Sequence, residues 1–353
     1  MKPVAVILVA LCLSSLFPKY TLSADQADAT SLVLAGGTLS DAAAQQLEDA
    51  LKQTPNDLSI RTELLGYYSA RRSRSESENN PRQRHVFWII QNHPEAEIAG
   101  LPYAQFDFVQ DREAYEQGAQ LWRQQVTDHP TDPAILRNAA NFFLLYERPF
   151  AEELLKKGAT LEPNNPTWPE KLGYLYELGS SRKSEEDRKQ AAIKALAAYE
   201  RAHALYADDL QRSYMLDKMA RSAFDANAFD KANTYARQIL EAAGRQHRRW
   251  NTDKATHHSN LILGRLALKA GDVEKAKQYL VASVNPPVSP QLGSFGPNMT
   301  LAKELLEKGQ RDVVLEYFQL CAKFWKMGAA TLQEWTSIVN QGGIPSFGAN
   351  LEY

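Results

Sequence analysis

Cysteine is nearly absent: the 353 residues hold two, Cys12 and Cys321. No disulfide framework can be built from that pair, and with Cys12 assigned to an apolar leader one thiol remains, so packing alone must stabilise the fold. An excess of one charge is missing too. Lys and Arg total 40 against 42 Asp and Glu, a net charge of −2. Such a field is too weak to gather polyanions, which argues against nucleic acid as a partner. Three motifs of common chemistries do not occur: the glycine-rich phosphate loop, the His-Glu-x-x-His pair and the Gly-x-Ser-x-Gly elbow. What is present is material for a core, since 44% of the residues are hydrophobic and 23% charged, a balance that speaks against disorder.

The first residues read as an export signal over 1–24. Met1-Lys2-Pro3 supplies a basic start, Val4 to Leu16 an apolar stretch, and Ala24 a small residue at the cut. The apolar stretch falls short of the ~20 residues that span a bilayer. The expectation is a periplasmic or secreted protein with no stable membrane insertion after cleavage. Leu11 is too large to precede an acylated Cys12, which argues against a lipid anchor. Cys321 lies at helical spacing from Val314, Tyr317 and Phe318 and reads as a small core residue.

The strongest positive signal is a spacing. Pro55, Pro94, Pro130 and Pro163 each close a helix-like stretch, at intervals of 39, 36 and 33 residues. These converge on the period of a helical hairpin. Residues 25–38 read as a flexible tail, and Ser40 then caps a helix from Asp41 to about Thr54. Asn56-Asp57 caps the next, and Arg71 to Pro81 is an exposed polar loop. Glu95 to Val109 is irregular. Asp132-Pro133 opens a clean pair that ends at Pro163, and a stretched unit follows, with a polar insertion from Gly179 to Asp187. Asp217 to Ala242 forms another pair, turning at Asp225-Ala226-Asn227-Ala228. Leu263, Gly264, Ala267, Gly271-Asp272, Ala276 and Leu280 repeat it in stronger form, and with them the chain resembles a tetratricopeptide repeat protein over 39–284.

That resemblance implies an all-α fold, a right-handed superhelix or solenoid of antiparallel helix hairpins. Residues 285–353 read as a C-terminal helical cap. There Pro287, Pro290, Gly293 and Gly296 argue against a helix, Leu301 to Lys308 and Val313 to Trp325 form a pair, and Leu332 to Val339 a last helix. Phe318, Phe324, Trp325 and Trp335 are available to cover the apolar end of the array. This block and the stretch from Trp88 to Pro94 also look like segments of uncharacterised bacterial secreted proteins with such repeats, a similarity that conveys no activity.

Chemistry is sparse. Glu200 and His203 sit three apart, as in di-iron bundles, but without a second such pair; His257 and His258 are adjacent and diverge on a helix. Neither makes a metal site, and no cofactor is called for. Arg245 to Trp250 is a dense basic cluster, read as a polar connection between units. Alignment of the units puts Tyr174, Glu177, Asp217, Arg221, Arg265 and Lys269 on the concave side, just off the packing stripe. Their mixed signs suit a protein or peptide segment better than a polyanion. The function expected is a non-catalytic interaction scaffold. A hydrolase or lyase on a helical superhelix is the alternative, with clustered carboxylates or His from different repeats in a deep pocket as its mark. Self-association, with a second copy filling the groove, is the third reading.

Overall fold

The structure, a computed structural model, describes residues 28–71, 80–179, 184–245, 252–284 and 290–351. The segment 1–24, most of the loop after Arg71, the basic cluster from 246 and Pro287 lie outside the described residues. Among the described residues there are seventeen α-helices and no strand, so the class is all-α. Two compact units divide inside one helix, between Phe142 and Phe143.

The first unit holds α1 (Ala29–Gly37), α2 (Asp41–Gln53), α3 (Leu58–Ala70), α4 (Pro81–Asn92), α5 (Arg112–Asp128) and most of α6 (Pro133–Phe143). The expected tail over 25–38 is corrected here. From Asp28, whose carboxylate accepts from the N–H of Thr30 and Ser31, the chain is helical. Gly36 lies at a contact surface. A Cβ on Gly36 would lie 1.9 Å from the Glu63 carbonyl oxygen, and one on Gly66 2.1 Å from that of Val33, so α1 and α3 touch backbone to backbone. Ser40 and Asp57 cap α2 and α3 as expected.

The proline signal is physical. Thr54, His93 and His129 each end a helix outside the helical region, with ψ between 54° and 66°, because the proline that follows disfavours that region at the residue before it. Glu162, in the second unit, does the same at ψ 71°. Between Pro94 and Val109 a first helix is replaced by two short 3-10 turns. This segment is more buried than its irregularity suggests, with Ile98, Ala99, Ala104 and Phe106 in the core. Side chains satisfy its carbonyls: Asn138 Nδ2 donates to Pro94 and Ala96 at 2.9 Å each, Asn141 to Gly100, and Arg82 to Tyr103 and Gln105.

The second unit continues with α7 (Arg148–Leu161), α8 (Thr167–Glu177), α9 (Glu185–Leu205), α10 (Asp209–Asp225), α11 (Phe229–Arg245), α12 (Thr252–Lys269) and α13 (Val273–Ala282). It ends with α14 (Pro290–Phe295), α15 (Thr300–Glu307), α16 (Arg311–Cys321) and α17 (Ala329–Asn340). One turn closes three of its hairpins. Asn227, Gly271 and Gly309 have φ of 60°, 84° and 75°. The N–H of the next residue reaches back to the carbonyl five positions earlier, at 2.8 to 2.9 Å, a left-handed helix ending.

α14 corrects the expectation of no helix there. Pro290 takes its first position, where a missing N–H costs nothing, and Gly296 ends it at φ 86°. The aromatic residues expected to cover the array pack into one core cluster. Trp335 lies 4.9 Å from Phe347, 5.8 Å from Trp325 and 6.0 Å from Phe318. That core is continuous with Leu261, Ala276 and Leu280 of the preceding hairpin. Cys321 is fully buried in it, and burial pushes its thiol pKa up.

Candidate functional site

Within the second unit, α8, α10, α12 and α15 are the first members of successive hairpins. α12 touches both α10 and α15, and buried or half-buried polar pairs bridge each step in the series. Lys218 of α10 reaches Glu170 of α8 at 2.7 Å. Glu177 of α8 accepts from the Tyr199 hydroxyl at 2.8 Å and from the Ser222 hydroxyl of α10 at 3.1 Å. Asp217 of α10 accepts from His258 Nδ1 of α12 at 2.9 Å and lies 3.5 Å from Arg221 Nε. Arg265 of α12 grips Glu304 of α15 through Nη2 at 2.7 Å and Nε at 2.8 Å. The same face therefore carries a ladder of charges from α8 to α15.

The register of the ladder follows from the turns. Arg221 and Arg265 each stand six residues before the left-handed turn residue of their hairpin, Asn227 and Gly271. Equivalent positions in stacked hairpins face the same way, so both guanidinium groups reach one place. Beside them is a cavity of about 140 Å³, whose wall includes Arg221, Asp225, His258, Arg265, Asn298 and Thr300.

Burial and neighbours set the charges. Burial alone would raise the Asp217 carboxyl, but His258, Arg221 and Lys254 outweigh it and hold it well below the usual aspartate range. Burial would also weaken Arg221 as a cation; Asp217 and Glu177 overcome it and push its pKa up. His258 goes the other way: burial depresses it more than Asp217 raises it. A neutral imidazole bonded to a carboxylate through Nδ1–H leaves Nε2 as an acceptor. That atom is buried and has no hydrogen-bond partner, and the same holds for the donor Nε of Arg221. Neighbouring His257 is fixed in one tautomer, with Nδ1–H on the Ser283 carbonyl at 3.0 Å and Nε2 accepting from the Asn298 N–H at 3.2 Å. Burial, with His258 beside it, lowers its pKa to about 3.

Of the six residues predicted for the groove, Glu177, Asp217, Arg221 and Arg265 belong to the ladder. Their charges are engaged within the chain. Lys269 is exposed, with Nζ 5.2 Å from the Phe229 ring centre and 6.0 Å from that of Phe224. Tyr174 is 45% exposed, which leaves it and Lys269 as the pair most open to a partner. His258, dismissed in sequence as one of two diverging histidines, is the residue that reading missed. Its signal was a separation of 41 residues from Asp217, legible only once α10 and α12 are known to be neighbours.

Glu200, considered above with His203, accepts from Lys231 at 2.7 Å and from the Tyr235 hydroxyl at 2.6 Å. Among the described residues, no group of three or more His, Cys, Asp or Glu is arranged to hold a metal ion, and no helix is long and apolar enough to cross a membrane. Neither a protein-family model nor a curated protein matches this chain.

Proposed function

We propose that this protein is an exported, non-catalytic scaffold of tetratricopeptide type, a right-handed solenoid of helix hairpins that holds a protein or peptide segment along α8, α10 and α12. The observation that carries the reading is the ladder: first helices of successive hairpins lie side by side, tied by polar pairs at every step. Such ties fix the spacing between helices and give an extended segment a rigid surface of mixed charge. Tyr174 and Lys269 supply an aromatic and a cation that no ladder bond restrains.

The test uses the protein as bait against an exported protein fraction, beside the variant Tyr174→Ala with Lys269→Glu. Ladder residues are left intact, because reversing Arg265 would set two carboxylates against each other and disturb folding. A partner held by the parent, lost in the variant and crosslinked to α8 or α12 supports the scaffold. Equal capture by both forms, or none, refutes it.

One observation favours the hydrolase or lyase reading: His258, held by Asp217 of a different hairpin, stands at the wall of the cavity. An imidazole held in one tautomer by a carboxylate is a common arrangement for a general base. Turnover of small ester or glycoside substrates that His258→Gln abolishes would establish that reading.

A further inference from the structure

We propose that the cavity bounded by α10, α12 and the segment leading into α15 binds a free α-amino acid with an apolar side chain. Its wall carries both signs of charge, with Arg221 and Arg265 against Asp225. Asp225 is exposed at the edge, where the charges of Arg265 and Arg221 act on it. A simple anion would meet that carboxylate, and a simple cation would meet two guanidinium groups, each of which already has a carboxylate of its own in Asp217 and Glu304. A zwitterion satisfies both.

The partnerless atoms agree. Arg221 Nε is a buried donor and His258 Nε2 a buried acceptor, the latter on a side chain only 5% exposed that forms part of the wall. Arg221 Nε has the Asp217 carboxylate at 3.5 Å but no hydrogen bond, and leaving buried donors and acceptors without one is costly. A ligand with an acceptor and a donor on neighbouring atoms relieves both, as the carboxylate and ammonium of an α-amino acid do. Apart from Asn298 and Thr300 the rest of the wall is apolar, from Phe224, Leu261, Ile262 and Leu351, and receives an aliphatic or aromatic side chain. At about 140 Å³ the space is well below the roughly 300–1,000 Å³ of sites for larger ligands, which suits an amino acid better than a nucleotide.

The experiment is calorimetric titration of the full chain with L-leucine and with L-phenylalanine. N-acetyl-L-leucine, L-leucinamide and inorganic phosphate are run alongside. Saturable binding of at least one amino acid is expected, weakened about tenfold or more when either end is blocked, each lost charge pair being worth a decade of affinity or better. Asp225→Asn should weaken binding to a similar degree without changing the melting temperature. The proposal is overturned if neither amino acid binds, if the blocked forms bind equally well, if phosphate alone binds, or if Asp225→Asn binds like the parent. The variant Tyr174→Ala with Lys269→Glu should take the amino acid normally, so failure of the scaffold reading and failure of this one are separable.

Discussion

A side chain at position 264 has nowhere to go. A Cβ there would lie 2.3 Å from Leu301 Cδ2 and 3.1 Å from Tyr279 Cβ, so Gly264→Leu must prise α12 from α15 and α13. We expect a loss of about 1–3 kcal/mol, the usual cost of overpacking, read from urea denaturation; unchanged midpoints would mean the helices are not in close contact. Asp217→Asn tests the ladder. It removes the charge shared by Arg221 and His258 and should cost about 1–3 kcal/mol, as for a buried group deprived of its partner, whereas Asp225→Asn at the exposed edge should be neutral. Gly264 and Cys321 were legible in the sequence because a small residue at helical spacing has one common explanation. His258 was not, since its meaning depends on a carboxylate 41 residues away that only hairpin stacking brings within 2.9 Å.

Among elements, the helix ends were the most legible. A residue before proline is pushed out of the helical region whatever surrounds it, and four helices obey. The short helices were the least legible. α1 has nine residues and two glycines at its end, a composition that propensity alone reads as a tail; the decisive term is its contact with α3, which lies outside the segment. α14 was lost to the same bias, proline being counted as a breaker when at the first position it is an initiator. The recurrent left-handed turn gives a prediction free of packing. Nothing lies within 4 Å of a Cβ built on Gly271, whose φ is 84°, so Gly271→Ala should cost only the conformational penalty of about 1–2 kcal/mol. Gly271→Asn should cost less. Thermal denaturation of the two variants decides it; a neutral alanine would argue against the turn.

At the scale of the whole molecule, acid should be the weak side. His85, His257 and His258 all have pKa values lowered in the folded chain, chiefly by burial, while the unfolded chain takes up protons near the ordinary histidine value of about 6.5. Below that pH the unfolded state binds more protons, so stability falls as the pH drops, until the folded histidines themselves titrate, about pH 3 for His257. The depressed Asp217 carboxyl adds to the loss at lower pH still, since its contribution exists only above the unfolded aspartate value. Denaturation midpoints should be level from about pH 7 to 8 and decline steadily below about 6.5; a flat profile down to pH 4 would show that these histidines are not held neutral. The all-α class was readable from periodicity, whereas the division inside α6 left no trace in composition. Burial of Cys321 makes the second unit its own clock. A thiol reagent can reach that sulfur only when the aromatic core around Trp335 parts, so the rate at which the peptide bearing Cys321 is labelled reports how often the core opens, and adding L-leucine during the labelling would show whether a filled cavity keeps it shut.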